Sequence, residues 1–280
     1  MQRLSFVKYQ GTGNDFILVD GRKGLDAHWY QESVIAQLCD RRFGIGADGY
    51  MVLEASTEAD FHMHYCNSDG KPSSMCGNGG RCIAHWAHSL GLGRRLVYAA
   101  HAEHGSEGHL RFTAPDGLHE AWVSSEGSVR LAMNSVRAEQ ASVPNEATAI
   151  LDTGSPHYVS FRKEPDDSDW DLTSFAHSIR YNETYAKVGI NVNAVWILED
   201  GSLKVRTYER GVEDETYSCG TGVTACALAY ALKEQRKLGS YSQVLHTPGG
   251  LLKVHYHWDG WQFDRILLEG PAEFVFSGTV

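Results

Sequence analysis

SSMCGNGGRCIAHW (Ser73–Trp86) and TYSCGTGVTACALAY (Thr216–Tyr230) carry the same Cys-Gly-x-Gly signature, and each runs on into a segment that reads as a helix. Working outward, Val7–Asp20 has apolar runs on either side of Gly11 and Gly13, the pattern of strand, tight turn and strand. Trp29–Cys39 has apolar residues at Val34, Ile35 and Leu38, which is helical spacing. Tyr50–Glu54 and Phe61–Asn67 read as strands, the second alternating, and the helix after the first motif is expected to reach about Leu90. Further strand character lies near Leu96–Ala100, His109–Phe112 and Glu120–Val123. The later half repeats the order: a strand at Tyr158–Phe161, a helix around Asp171–Ile179, strands at Asn193–Leu198 and Leu203–Glu209, then the motif and a helix to about Lys237. Each half therefore sets Cys-Gly-x-Gly between a strand and a helix, which predicts two related α/β lobes.

The chain has 280 residues, enough for two ordinary domains with their own cores. Its apolar fraction of 42% and charged fraction of 21% are those of a globular protein rather than a disordered or fibrous one. A formal charge of −10 argues against a nucleic-acid partner, because the basic residues form no long cluster that could neutralise phosphates. No apolar stretch approaches the length of a bilayer span and MQRLSFVKYQ has no leader-like core, so no membrane partner and a cytoplasmic location are expected. Small molecules are the expected partners. The six cysteines are sparse and lack the spacing of a stapled secreted scaffold, so reduced thiols are expected.

A cysteine at a helix start lies near unpaired backbone N–H groups and the positive end of the helix dipole, both of which favour thiolate. The glycines at 77, 79, 220 and 222 leave that backbone open to a small anion such as an α-carboxylate. Each motif thus offers a base and an anion cradle together. Two such elements in equivalent places suggest thiols acting on opposite faces of one carbon, the geometry of stereoinversion: one thiolate removes the α-proton while the other thiol returns a proton. Cys82 and Cys226 fall inside the following helices and read as core thiols, as do Cys39 and Cys66. The spacings are not those of structural zinc, and His62, His64, His255 and His257 are explained by alternation on exposed strands, so no metal is expected. GIGADG (Gly44–Gly49) fits a dinucleotide fingerprint only in letters, since it follows a helix and precedes a strand.

Five ordered motifs, GTGNDF (11–16), NSDGKPSSMCGNGGRC (67–82), TGSPH (153–157), YERGVEDETYSCGTG (208–222) and EGP (269–271), make the chain resemble the diaminopimelate epimerases. The resemblance implies a cofactor-independent isomerase interconverting LL- and meso-diaminopimelate in lysine and peptidoglycan precursor synthesis. It implies two similar lobes related by a pseudo-twofold axis, each a mixed, largely antiparallel sheet wrapped around a central helix, with the site in the cleft between them. The lobes would be 1–119, to which 265–280 return, and 120–264, and the protein would be a homodimer. By position, Cys76 and Cys219 become the acid/base thiols, with His157 and Glu209 modulating their ionisation. Asn14, Asn67, Ser155, Asn191, Glu209 and Arg210 would contact substrate, and Gly77–Asn78 and Gly220–Thr221 would hold the reacting carboxylate.

Three departures from the family pattern stand out. Gly49 occupies a place often held by Gln, Ser155 one where Asn is common, and GVEDET is one residue longer than the frequent G-A-G-E-T. Proline racemases and their hydroxyproline relatives, the nearest alternative, usually have His where Asn78 stands and D-R-S-P before the second cysteine. A binding or redox protein with a Cys76–Cys219 disulfide switch is the alternative from another class.

Overall fold

Thr12 and Gly13 form a two-residue loop between β1 (Ser5–Gly11) and β2 (Asn14–Asp20), which pair antiparallel with Gly11 opposite Asn14. Both loop residues have positive φ, 51° and 86°, the geometry whose twist matches that of the flanking strands. The computed structural model describes residues 3–96, 107–163 and 170–280. Beyond Leu96, the strand expected near Leu96–Ala100 lies outside the described residues. The chain divides into two units, Met1–Leu131 with Gly270–Val280, and Ala132–Glu269.

In the first unit, β1 and β2 are followed by α1 (Glu32–Cys39), β3 (Gly49–Glu54), β4 (Phe61–Asn67), α2 (Gly77–Ser89), β5 (Arg94–Leu96), β6 (Glu107–Ala114), β7 (Gly117–Val123) and β8 (Ser128–Ala132). Across α1, β2 and β3 run parallel; β3 and β4 are antiparallel, β4 and β6 parallel, and β6, β7 and β8 antiparallel. The second unit comprises β9 (Val136–Arg137), β10 (Ser142–Asn145), β11 (Thr148–Asp152), β12 (Pro156–Phe161), α3 (Leu172–Arg180), β13 (Asn191–Ile197), β14 (Leu203–Glu209), β15 (Asp214–Thr216), α4 (Gly220–Lys233), β16 (Gly239–Thr247), β17 (Gly250–Trp258) and β18 (Gln262–Pro271). It repeats the plan: β12 and β13 parallel across α3, β13 and β14 antiparallel, β14 and β16 parallel, then β16, β17 and β18 antiparallel. The final strand, β19 (Glu273–Thr279), returns to the first unit and pairs antiparallel with β1.

Burial shows why the sequence adopts this plan. α4 is buried on nearly every side, with Val223 to Ala231 packed among Val159, Val195, Val205, Leu245 and Val254 from the surrounding strands, as an all-round apolar helix must be. α2 opens with ten residues that are almost all buried and packs on β1, β2, β3, β6 and β7. α1 buries only one stripe, Ile35, Leu38 and Cys39, against Tyr50, Val52 and Cys66. Thus each unit has one central helix and one covering helix.

Two boundaries differ from those expected. The segment expected as one helix over Trp29–Cys39 breaks at Gln31, whose extended backbone (φ −74°, ψ 131°) separates a 3-10 turn at Ala27–Tyr30 from α1. α4 stops at Lys233, not near Lys237, because Gln235 turns left-handed (φ 47°) and the N–H groups of Gln235 and Arg236 close back on Leu232 and Ala231. α2 ends in the same motif, with Gly91 in the left-handed position and Leu92 bonded to Ala87.

Candidate active site

Cys76 and Cys219 are each the N-cap residue of a central helix, α2 and α4, with extended backbone and with the carbonyl accepting the first helical hydrogen bond, from Gly80 (2.7 Å) and Val223 (2.9 Å). Neither thiol caps its own helix, so the N–H groups of the first turn are not consumed by the cysteine side chain. Cys76 is half-buried and Cys219 is buried. The other four cysteines are buried, and burial pushes their thiols up, to about 12 for Cys39 and Cys82, about 11 for Cys66 and well above the ordinary value for Cys226.

Around Cys76 the first unit supplies Asn14, at the start of β2. The Cys76 thiol donates to its Oδ1 (3.7 Å), and its Nδ2 donates to Asp48 Oδ2 (2.6 Å). Asp48 also accepts from the Asp15 backbone N–H (3.2 Å) and from Arg41 (2.7 Å). Burial alone would raise the Asp15 carboxyl, but hydrogen bonds from Arg41 and Lys8 outweigh it and hold the group well below the usual carboxylate range. Lys8 also bonds the Gly46 carbonyl. GIGADG therefore folds as the brace that orients Asn14. Asn78 points inward, its Oδ1 accepting from Arg81 Nη1 (3.1 Å), so it faces the protein interior rather than the helix start. Asn67 ends β4 with an exposed side chain, in register with Gly49.

Around Cys219 the second unit builds a relay. The thiol lies 3.4 Å from Thr221 Oγ1, which is 2.9 Å from His157 Nε2, and His157 Nδ1 accepts from Asn193 Nδ2 (3.1 Å). Asn193 is fixed in turn, donating to the Tyr158 carbonyl (3.2 Å) and accepting from Thr207 (3.0 Å). Because Asn193 donates to Nδ1, His157 carries its proton on Nε2 and donates to Thr221. His157 has no exposed surface; burial, followed by the nearby positive charge of Arg210, lowers its pKa to about 3. The ring is neutral at ordinary pH, so it orients a hydroxyl rather than presenting a charge to the thiol.

Three residues far apart in sequence converge beside this relay. Asn191 Nδ2 donates to Ser155 Oγ (2.8 Å) and to the Pro156 carbonyl (3.0 Å), and its Oδ1 accepts from the Arg210 N–H (2.9 Å). The Arg210 guanidinium reaches Ser155 Oγ (3.4 Å) and the Val188 carbonyl (3.0 Å). Ser155, where the family pattern often has Asn, thus bonds both neighbours directly. Glu209, the last residue of β14, is half-buried.

The other two departures also have local structural explanations. A Cβ at position 49 would lie 2.6 Å from the Tyr65 ring, so Tyr65 fills the space a side chain would need there. The longer GVEDET loop is absorbed at Glu213, whose backbone is left-handed (φ 60°) and whose carboxylate takes hydrogen bonds from Arg180 (2.8 Å), Tyr181 (2.8 Å) and Tyr208 (3.2 Å).

Sequence reasoning missed Asn193, Glu213, Asp48, Arg81 and Thr153, whose hydroxyl donates to the Thr221 carbonyl (2.8 Å). Asn193 could have been found: Asn191 and Asn193 share one face of an otherwise apolar strand, and buried amides there must have partners. The glycines have a further role. A Cβ on Gly222 would meet Asn193 Oδ1 at 2.6 Å, and one on Gly79 would meet Met51 at 2.2 Å, so the helix starts sit directly on the sheet. Among the described residues no group of three or more His, Cys, Asp or Glu is arranged to hold a metal ion, and no helix is long and apolar enough to cross a membrane.

Two α/β units, each wrapping a sheet round a helix capped by cysteine, define a fold class with solved members. A Bacillus anthracis phenazine biosynthesis protein of the PhzF family is similar with a TM-score of 0.70 over 100% of this chain and 99% of that one, at 14% identity. A hydroxyproline epimerase from Agrobacterium vitis is similar with a TM-score of 0.66 over 99% and 92%, at 16% identity. These likenesses are of fold. The diaminopimelate epimerase profile matches residues 6–138 and 149–275. Diaminopimelate epimerases of Flavobacterium psychrophilum and Chlorobaculum tepidum are 41% and 39% identical, covering 99% and 96% of this chain and 100% and 98% of theirs. The chain belongs to the diaminopimelate epimerase family, whose members are isomerases.

Proposed function

We propose that the protein interconverts LL- and meso-2,6-diaminopimelate without a cofactor, Cys76 and Cys219 acting as the paired acid and base. The observation that carries this reading is that the two cysteines cap equivalent helices in two units of one plan. The backbone N–H groups of Gly77–Asn78 and Gly220–Thr221 hold the reacting α-carboxylate, where helix dipoles favour an anion. One thiolate takes the α-proton, the C–H electron pair moving onto the carbon beside that carboxylate, and the opposite thiol then delivers its proton to the other face. The first cysteine ends as thiol and the second as thiolate, so the reverse reaction needs no resetting.

Arg210, Asn191 and Ser155 form the group that receives the distal carboxylate, a guanidinium fork with two polar neighbours. Asn14, Asn67 and Glu209 complete the set, as acceptors suited to ammonium groups. His157 acts on Cys219 through Thr221, and Glu209 modulates the thiols by its negative charge. The product serves lysine and peptidoglycan precursor synthesis in the cytoplasm. A homodimer is supported by β19, where Phe274, Val275 and Phe276 are each about half exposed on a strand with no charged residue after Glu273.

Purified protein is assayed on LL-diaminopimelate, with L-proline alongside, in deuterated water and without added cofactor. Product labelled at the α-carbon is expected, and Cys76→Ala or Cys219→Ala should each lower turnover by on the order of 10²–10⁴-fold or more. Near-wild-type turnover by either variant would refute the two-thiol mechanism.

A further inference from the structure

Arg81, one turn into α2, is fully buried, and among the described residues its guanidinium meets no carboxylate. Its partners are all neutral oxygens: Thr12 Oγ1 (3.1 Å), Asn78 Oδ1 (3.1 Å), the Gly77 carbonyl (3.3 Å) and the Pro271 carbonyl (3.4 Å). A buried cation with only neutral partners is unfavourable, because neutral oxygens replace its lost hydration only in part. Such an arrangement persists where the charge has a use or where an anion arrives to meet it.

The residues Arg81 binds belong to three separate sequence motifs: the Gly-Thr-Gly hairpin, the start of α2 and the Glu-Gly-Pro segment. Thr12 is β-branched in a left-handed conformation (φ 51°), which such residues rarely adopt, and its buried hydroxyl is held by Arg81. The hairpin also presses on the helix, since a Cβ at Gly11 would lie 3.2 Å from both the Asn78 carbonyl and Cys82 Sγ. The loop, the helix start and the guanidinium therefore form one rigid block at Cys76.

Hydrogen bonds to the Gly77 carbonyl and Asn78 Oδ1 hold the guanidinium at the helix start beside Cys76; burial lowers the Arg81 pKa, and the nearby thiols of Cys82 and Cys76 oppose that shift. Burial keeps Cys82 a neutral thiol, which leaves Cys76. Near Cys76, Asp48 is engaged with Asn14 and Arg41, and Asp116 with the Met75 N–H and His119; near Cys82, Asp15 on β2 is engaged with Lys8 and Arg41, Glu273 on β19 with Gln10, and Tyr9 on β1 with His85 of α2. The equivalent helix position in the second unit carries no charge. Counting five residues on from each cysteine gives Arg81 in α2 and Thr224 in α4, and Thr224 bonds the equivalent carbonyl, Gly220 (2.9 Å), with a neutral hydroxyl.

We propose that Arg81 is a positioning residue that fixes the Cys76 half-site and supplies it with a buried positive charge, favouring the Cys76 thiolate and the anion held at the same helix start. The inference rests on the two-thiol reading above and gives Cys76 a helix-borne charge with no counterpart at Thr224 of α4.

The test is the pH dependence of iodoacetamide alkylation, followed separately at Cys76 and Cys219 by peptide mass spectrometry, in wild type, Arg81→Thr and Arg81→Lys, with circular dichroism to verify folding. Arg81→Thr copies the second unit and should raise the Cys76 midpoint by at least about one pH unit, a roughly tenfold slower alkylation at pH values below it. Cys219 should not move, and Arg81→Lys, which keeps the charge, should hold the Cys76 midpoint while raising KM through loss of the fork to Thr12 and Asn78. A folded Arg81→Thr protein with an unshifted Cys76 midpoint overturns the proposal. Should that variant not fold, a Cys76 midpoint in Arg81→Lys displaced upward by a full unit overturns it, and an unmoved one supports it. The alkylation readout involves no substrate, so its failure leaves the epimerase reading standing. Absence of turnover in wild type would refute that reading without touching the titration.

Discussion

Lowering the pH below 6.5 should destabilise the second unit through His157, by an amount that can be worked out. In the unfolded chain the ring titrates near its ordinary value of about 6.5. In the native protein burial and Arg210 lower it to about 3. Between those values the unfolded state binds one more proton than the native state, so unfolding free energy falls as pH falls, by about 1.4 kcal/mol per unit. From pH 6.5 to 5 the loss is about 2 kcal/mol, a large share of the margin of an ordinary domain. A protonated ring would also place a donor at Nδ1 against the Asn193 amide, which is itself donating there (3.1 Å). Burial also lowers His64 and His85, with the same sign, so the wild-type slope alone does not isolate His157. His157→Asn does, because Asn Oδ1 can accept from Asn193 and has no proton to gain. Urea unfolding of both proteins from pH 7.5 to 5 should show the variant less stable at pH 7.5 and the gap narrowing by about 2 kcal/mol at pH 5. A gap constant across the range would refute the argument that His157 is held neutral by its site.

Gly222→Ala should cost about 1–3 kcal/mol by overpacking, because the new Cβ lies 2.6 Å from Asn193 Oδ1, and should lower activity by disturbing the relay to Cys219; denaturation midpoints together with kcat check it, and an unchanged protein would contradict the close approach of helix and strand. Val275→Lys, on the exposed face of β19, should weaken the proposed dimer by on the order of 10–100-fold while leaving each unit folded, as sedimentation would show; a dimer unaffected by that charge would refute β19 as its interface.

Much of the plan was legible because local signals agreed with one another. Gly11 and Gly13 bracket a real hairpin, the Cys-Gly-x-Gly segments do pass from strand to helix, and the repeated order of elements follows from apolar periodicity. The β16–β17–β18 meander was not anticipated: its residues alternate between buried and half-exposed, and Gly239, His255 and His257 interrupt the apolar pattern that marks a strand. Helix ends were misplaced where a non-glycine residue, Gln235, takes the left-handed position, which composition does not announce. At the site, cysteines, glycines and Arg210 could be named from motif context. Asp48 could not, since it acts on another side chain brought near by loop closure rather than by spacing, and Asn193 is signalled only by the strand face it shares with Asn191.

The two half-sites share a frame but differ in electrostatics. Two residues after each cysteine stands a side chain tied into the protein: Asn78 to the guanidinium of Arg81, Thr221 to the imidazole of His157. The guanidinium keeps its charge at any working pH, whereas the imidazole is kept neutral by complete burial. An inversion by two thiols requires one to be ionised while the other is protonated, and identical surroundings would leave that choice to the substrate alone. On the proposed mechanism Arg81 would favour the Cys76 thiolate through its charge, whereas the relay, in which His157 donates to Thr221, leaves the Thr221 hydroxyl to donate to Cys219, so each thiol is influenced by a different means. The repeat in sequence encodes the shared geometry, and positions 81, 157 and 221, which the repeat does not duplicate, give each cysteine its own surroundings.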